Sequence, residues 1–155
     1  MVSFDWSPPD PALELIHVSP VGETLQLLIK SKRTSSTCPT CNRPSCHVHS
    51  RYTRKVQDLP ISSHPVDLLI LTRKWFCDQQ DCPVTIFTER YEGISANRRR
   101  TVRTEQALQK IAFSTSCLAA EKVAHSVHIP VSHDALLSLI HRTEITPTVS
   151  PFSRY

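Results

Sequence analysis

Four cysteines fall into two spaced pairs. Cys38-Pro-Thr-Cys41 is a C-x2-C pair and Cys77-Asp-Gln-Gln-Asp-Cys82 is a C-x4-C pair, with residues 42–76 between them. A thiolate is a soft metal ligand, and zinc takes four such ligands at tetrahedral corners about 2.3 Å away. A gap of two residues lets one tight turn aim both sulfurs at a single ion. A gap of four does the same with a wider loop. Two such turns at strand ends make a zinc ribbon, a closed structural site without a free coordination position. Iron fits the same spacing, because spacing does not separate Zn²⁺ from Fe. A thioredoxin-like redox pair would open a helix after a strand, whereas strand-like sequence follows Cys41. His47 or His49 stands near enough to replace one sulfur, and Cys46 and Cys117 read as ordinary small residues. A ribbon of this size buries little apolar surface. Metal is therefore expected to supply much of the folding free energy of residues 38–91, on the order of 10–16 kcal/mol for structural zinc.

Charge is the second chemical feature. The chain holds 18 Lys and Arg against 14 Asp and Glu, a formal +4 that is unevenly placed. Residues 1–29 contain Asp5, Asp10, Glu14 and Glu23 and no Lys or Arg. Residues 30–57 contain Lys30, Lys32, Arg33, Arg43, Arg51, Arg54 and Lys55 and no acid, and a second cluster is Arg98, Arg99, Arg100 and Arg103. Two basic blocks flanking a cysteine module point to a polyanion, with double-stranded DNA the expected partner. Arg51, Arg54, Lys55, Arg98, Arg99, Arg100 and Arg103 are the candidate phosphate contacts. With 2 glycines in 155 residues, a Gly-rich phosphate loop is excluded. The acids Asp58, Asp67, Asp78 and Asp81 do not form a nuclease-like group, and the 8 histidines show no H-x3-H or H-E-x-x-H spacing. The chain reads as non-catalytic by itself, without a small-molecule substrate. The longest aliphatic run, Leu68 to Leu71, is far below the roughly 18 residues of a membrane span. The N-terminus has no apolar signal core. A cytoplasmic, nucleoid-associated protein with no membrane partner is expected.

The elements that would position these residues read as α+β. Pro8, Pro9 and Pro11 mark an extended arm, and Ala12–Val18 with Thr24–Lys30 resemble a hairpin about Pro20–Gly22. Arg51–Leu59, Val66–Phe76 and Thr85–Tyr91 read as further strands, the first two around a turn at Pro60–Pro65. From Thr101 the period changes. Leu108, Ile111, Ala112 and Thr115, then Ala120, Val123, Ala124 and Val127, then Leu136, Leu139 and Ile140 follow helical spacing. The expected helices are Thr101–Ser114, Leu118–Val127 and Ser132–Arg142, with Ser132 as an N-cap and His128–Val131 as a helix-turn-helix turn. The third would be the DNA reader, presenting His133, Asp134, Leu137, Ser138, His141 and Arg142. Four regions follow: an arm and hairpin over 1–37, a β-rich zinc ribbon over 38–91, a three-helix helix-turn-helix bundle over 98–143, and an unstructured tail over 144–155.

The residues also resemble the N-terminal half of insertion-sequence transposases of the ISL-three type. The matching stretches are Cys38-Pro-Thr-Cys41, His49-Ser-Arg-Tyr-Thr-Arg54, Asp58-Leu-Pro60, Arg73-Lys-Trp-Phe-Cys77, Cys82-Pro83, Ile86-Phe-Thr-Glu-Arg90, Arg99-Arg-Thr101 and Val131-Ser-His-Asp-Ala-Leu-Leu137. They keep the family's order and spacing over roughly residues 12–142. The resemblance implies Zn²⁺ on Cys38, Cys41, Cys77 and Cys82, followed by a helix-turn-helix that recognises terminal inverted repeats. It makes residues 132–142 the candidate reader. The family's acidic, metal-dependent catalytic domain would begin where this sequence stops, so no catalytic residue is carried over. Ser63, His64 and His128 stand at turns where the family tends to have glycine, and Val84 where arginine is usual. Two other functions fit the same parts: a stand-alone transcriptional regulator or antitoxin binding a palindrome as a homodimer, and a zinc-stabilised protein-interaction module.

Overall fold

A computed structural model describes residues 5–143. The expected tail, 144–155, and the first four residues of the expected arm lie outside the described residues. In chain order the elements are β1 (Leu13–Val21), β2 (Thr24–Ser31), β3 (Ser36–Thr37), β4 (Pro44–Ser45), β5 (Val48–Ile61), β6 (His64–Phe76) and β7 (Ile86–Thr88), then α1 (Val102–Ser114), α2 (Cys117–Ser126) and α3 (His133–Arg142). The molecule is α+β, with a β-rich front and three helices behind it.

The main sheet runs β1-β2-β6-β5, with β7 beside the far end of β6. Strict alternation decides which face is buried. Val66, Leu68, Ile70 and Thr72 of β6, Leu27 and Ile29 of β2 and Val56 of β5 are buried, and they gather Leu13, Tyr91 and Ile94 into one core. The β5–β6 turn is tighter than expected. Its two residues are Ser62 and Ser63, both with positive φ, 48° and 64°, the handedness that a two-residue hairpin demands. Pro60 and Pro65 therefore lie within strands. Pro60 is tolerated because β5 is the edge strand.

Hydrogen bonds tie the front of the chain to the rest of the sheet. The front hairpin does not stand apart from the ribbon, because β2 pairs in parallel with β6 from Leu25↔Val66 to Lys30↔Leu71. The sheet is thus continuous across residue 37. The proline-rich segment is held against the body of the protein at Asp10. Asp10 is fully buried. It accepts hydrogen bonds from the N–H groups of Ala12 at 2.8 Å and Glu92 at 2.9 Å, and from Arg33 Nη2 at 3.1 Å. A buried carboxylate needs such partners, and together they strap the segment over the core.

The helices start where capping residues stop the preceding chain. Thr101, Ser116 and Ser132 each accept from the N–H three residues on. The α2 C-terminus closes with two reverse bonds, His128 N–H to His125 O at 3.1 Å and Ile129 N–H to Ala124 O at 2.9 Å. This is the Schellman pattern, and it puts His128 at φ 64°. The turn tucks Ile129 and Val131 into a core with Leu108, Ala112, Ala120, Ala124, Leu136 and Leu139. Those two residues displace part of the expected α2 stripe. Val123 and Val127 are 42% and 44% exposed, and Thr115 is the α1 C-cap rather than a core position.

The helices dock on the end of β5. Gln57 N–H donates to Arg99 O at 2.8 Å, Thr101 N–H donates to Gln57 O at 2.9 Å, and Gln57 Nε2 donates to Pro130 O at 3.0 Å. Beside them Asp58 is buried and accepts from Trp6 Nε1 at 3.1 Å, Thr101 Oγ1 at 2.9 Å and Arg103 Nε at 2.8 Å. Leu59 packs into the helical core.

Candidate metal centre

Cys38 and Cys41 sit on a knuckle held by the small β3–β4 ladder, Ser36↔Ser45 and Thr37↔Pro44. Cys38 N–H donates to Arg43 O at 3.0 Å and Asn42 N–H returns to Cys38 O at 2.9 Å. Asn42 takes φ 57°, which lets the chain reverse directly after Cys41. The second pair follows β6. Cys77 N–H donates to Thr85 O at 2.9 Å and Cys82 N–H to Gln79 O at 3.2 Å, so the wider loop folds back on itself.

The four sulfurs converge. Cys38 Sγ lies 3.9 Å from Cys82 Sγ, Cys41 Sγ lies 3.6 Å from Cys77 Sγ, and the whole set lies within 4.8 Å. Sulfurs about 2.3 Å from one tetrahedral ion are about 3.8 Å apart, so the donor set fits zinc. Its electrostatics fit too. The Cys41 N–H, opposed by burial and aided by the Thr40 N–H, holds the Cys38 thiol down to about 7. At Cys77 the Gln79 N–H pulls downward, but burial and the sulfurs of Cys41, Cys82 and Cys38 outweigh it and push the thiol up to about 12. At Cys82 the Val84 N–H and the Cys77 thiol pull downward, but burial and the sulfurs of Cys41 and Cys38 outweigh them and raise it. Neighbouring thiols thus favour the thiolate of Cys38 but oppose further ionisation at Cys77 and Cys82, and a bound dication is what lets all four shed their protons. With four protein ligands the site is closed, so its role is structural.

Trp75 and Phe87 pack with Cys38 beneath the site. Arg73 lies over the Trp75 ring at 4.7 Å and grips buried Glu89 with two bonds of 3.1 and 2.8 Å. Tyr91 Oη donates to Thr72 Oγ1 and Glu89 Oε2, each at 3.3 Å. Burial, and then the Glu89 charge, push the Tyr91 hydroxyl well above its ordinary range, so it stays a donor. Glu89 carried no signal of its own in the sequence, since its partner lies 16 positions away. The alternative ligands do not reach the centre. His47 and His49 are exposed, the first bonded to Asp78 Oδ1 at 2.8 Å and the second set edge-on to Phe76.

Comparison with known proteins shows what this ribbon is similar to. Residues 34–82, which carry all four sulfurs, match the family described as the zinc-finger of transposase IS204/IS1001/IS1096/IS1165. The four converging sulfurs agree with that match. A transposase for insertion sequence element IS1001 from Bordetella parapertussis is 29% identical over 101 residues, which is 65% of this chain and 24% of that relative. The chain thus spans about a quarter of that relative's length. No solved structure matches.

Around this ribbon the basic residues divide into two groups. Arg103 is turned inward to Asp58, whose carboxyl burial would raise; the Arg103, Trp6 and Leu59 hydrogen bonds outweigh that and hold it below the ordinary range. Arg54 spends its Nη2 on the carbonyls of Ser95 and Arg98, each at 2.7 Å. Arg100 Nε donates to Gln57 Oε1 at 3.0 Å, and burial lowers its ordinary affinity for a proton. These three hold the helices to the sheet. Arg51, Lys55 and Arg99 are exposed, and Arg98 is half-buried. On α3, Asp134, Ser138, His141 and Arg142 are exposed, whereas His133 and Leu137 are half-buried. No described helix is long and apolar enough to cross a membrane.

Proposed function

We propose that this chain is a DNA-binding module of a transposase that recognises the terminal inverted repeats of an insertion sequence. The observation that carries the reading is a four-cysteine ribbon that matches a transposase zinc-finger family, joined through one sheet to an α2–turn–α3 pair whose last helix leaves a polar side open. In this reading α2 and α3 form a helix-turn-helix. Asp134, Ser138 and Arg142 face base edges in the major groove, with His133 at the first turn. Arg98 and Arg99 hold backbone phosphates beside them. The module positions DNA and carries out no strand transfer with the residues described. Two inverted repeats bring two copies together, so a homodimer forms on paired ends, in the bacterial cytoplasm where the nucleoid lies.

Retention of a duplex across a salt series tests this. About six phosphate contacts give a log–log slope near −5. Arg98→Ala with Arg99→Ala weakens binding to all sequences alike, whereas Arg142→Ala changes sequence preference. A flat salt response, or identical behaviour of the two sets, overturns the assignment. Selection of bound genomic fragments separates the readings further. Repeats flanking a transposase gene support this one, and a promoter palindrome supports a regulator.

A further inference from the structure

The sheet has a second face that the core does not use. Arg51, Thr53, Lys55 and Gln57 of β5 pair with Arg73, Leu71, Leu69 and Asp67 of β6, and Lys30 of β2 pairs with Leu71. These positions alternate with the buried ones, so they lie on the opposite side. That side stays open: Arg51, Thr53, Lys55 and Leu71 are all exposed. Two hollows indent it. One is lined by Glu14, Lys30, Lys32, Arg51, Leu71 and Arg73, and the other by Lys55, Gln57, Asp67, Arg99, Arg100 and Pro130.

The charge on this face is lopsided. Its acids are Glu14, paired with Lys30 at 3.4 Å, and Asp67, paired with Lys55 at 3.4 Å. Lys32, Arg51 and Arg99 have no acidic partner among the described residues. The second hollow ends at Pro130, two residues before the Ser132 cap of α3, and Gln57 binds the Pro130 carbonyl. The basic strip therefore begins beside the N-terminus of α3 and runs along β5 toward the ribbon. From Gln57 to Arg51 it extends six residues, about 20 Å at the rise of a strand. That is about six base pairs of duplex at 3.4 Å each.

We propose that this open sheet face is a phosphate track that carries the duplex backbone away from α3 toward the zinc ribbon, with Lys32 and Arg51 as its distal contacts and Lys55 and Arg99 as its proximal ones. The track rests on the DNA-binding reading above and extends it. It is sequence-blind, because its cations meet phosphate oxygens and no base edge. It lengthens the footprint on one side of the helix-read site by about six base pairs.

The test uses the full chain with zinc bound and a random-sequence duplex of about 24 base pairs, since phosphate contact does not depend on sequence. Affinity is measured over a salt series for the native protein and for the double variant Lys32→Ala, Arg51→Ala. Both residues are exposed, and zinc content and circular dichroism verify that the fold is kept. The expected result is a salt slope shallower by about two. If the native protein binds and the double variant keeps the same slope, the track is overturned while the helix reading stands. If the native protein does not retain the duplex at low salt, the DNA-binding reading fails and the track falls with it.

Discussion

The β5–β6 hairpin is held at its two ends by different physics. At the ribbon end a few side chains, Cys38, Trp75 and Phe87, are buried around the sulfurs. At the helix end eight buried apolar residues pack together, and a buried carboxylate ties them to the sheet. Between the ends lies a third cluster, the sheet core of Leu27, Ile29, Val56, Leu68, Ile70 and their neighbours, which touches neither the sulfurs nor the helical core. The ribbon end is therefore a metal-dependent cap on a sheet that has its own hydrophobic support, not a domain whose fold is metal alone.

Removing the metal is the largest perturbation. Cys77→Ser, or chelation, forfeits a binding free energy on the order of 10–16 kcal/mol. It is expected to melt residues 34–48 and 76–88 while β1, β2 and the middle of β5 and β6 persist. In a Trp6→Phe background Trp75 emission should shift to the red, with most of the far-ultraviolet dichroism kept. Loss of the whole sheet would show that the three clusters are one.

Asp58→Ala attacks the opposite end. It strands Arg103 and is expected to cost about 3 kcal/mol, seen by denaturant unfolding, with zinc stoichiometry unchanged. The pH dependence has a definite sign. The folded carboxyl is depressed, so its contribution is complete above the ordinary aspartate value near 4 and is lost as pH falls through the lower folded value. The gap between native protein and Asp58→Asn should therefore narrow below about pH 4.

Smaller changes refine the comparison. Ser63 and His128 hold left-handed backbone at φ 64°. Glycine at either position relieves strain of about 1–2 kcal/mol and gives back part of it in chain entropy. A net gain of about 0.5–1 kcal/mol is expected for each, Ser63→Gly steadying the sheet and His128→Gly the helices. Lys55→Ala, which breaks an exposed pair with Asp67, should move the melting temperature least, by an equivalent of about 0.5 kcal/mol or less.

The metal site was the most legible part of the sequence. Its chemistry is local: two short gaps between cysteines dictate two turns, and four sulfurs on such turns call for a tetrahedral thiolate-bound ion, zinc or iron by spacing alone. The helices were nearly as clear, and Ser132 was recognisable as a cap because capping is settled within three residues. What escaped was tertiary. Nothing in residues 24–31 says that they lie parallel to β6, and nothing local says that Asp58 takes Arg103, 45 positions away. The same blindness affected the charge clusters. A run of arginines looks uniform as text, yet Arg103 and Arg54 serve as internal struts while Arg99 has no acidic partner among the described residues. The glycine departures at Ser63 and His128 marked true left-handed positions, whereas His64 lies within β6.

The parallel pairing of β2 with β6 has a temporal consequence. β2 cannot find its inner neighbour until residues 64–76 exist, and the intervening crossover contains the first cysteine pair. During synthesis the front hairpin must wait with one edge exposed, and closing so wide a loop is slow relative to forming a helix. A nascent chain arrested before residue 76 would thus present bare strand edges to chaperones.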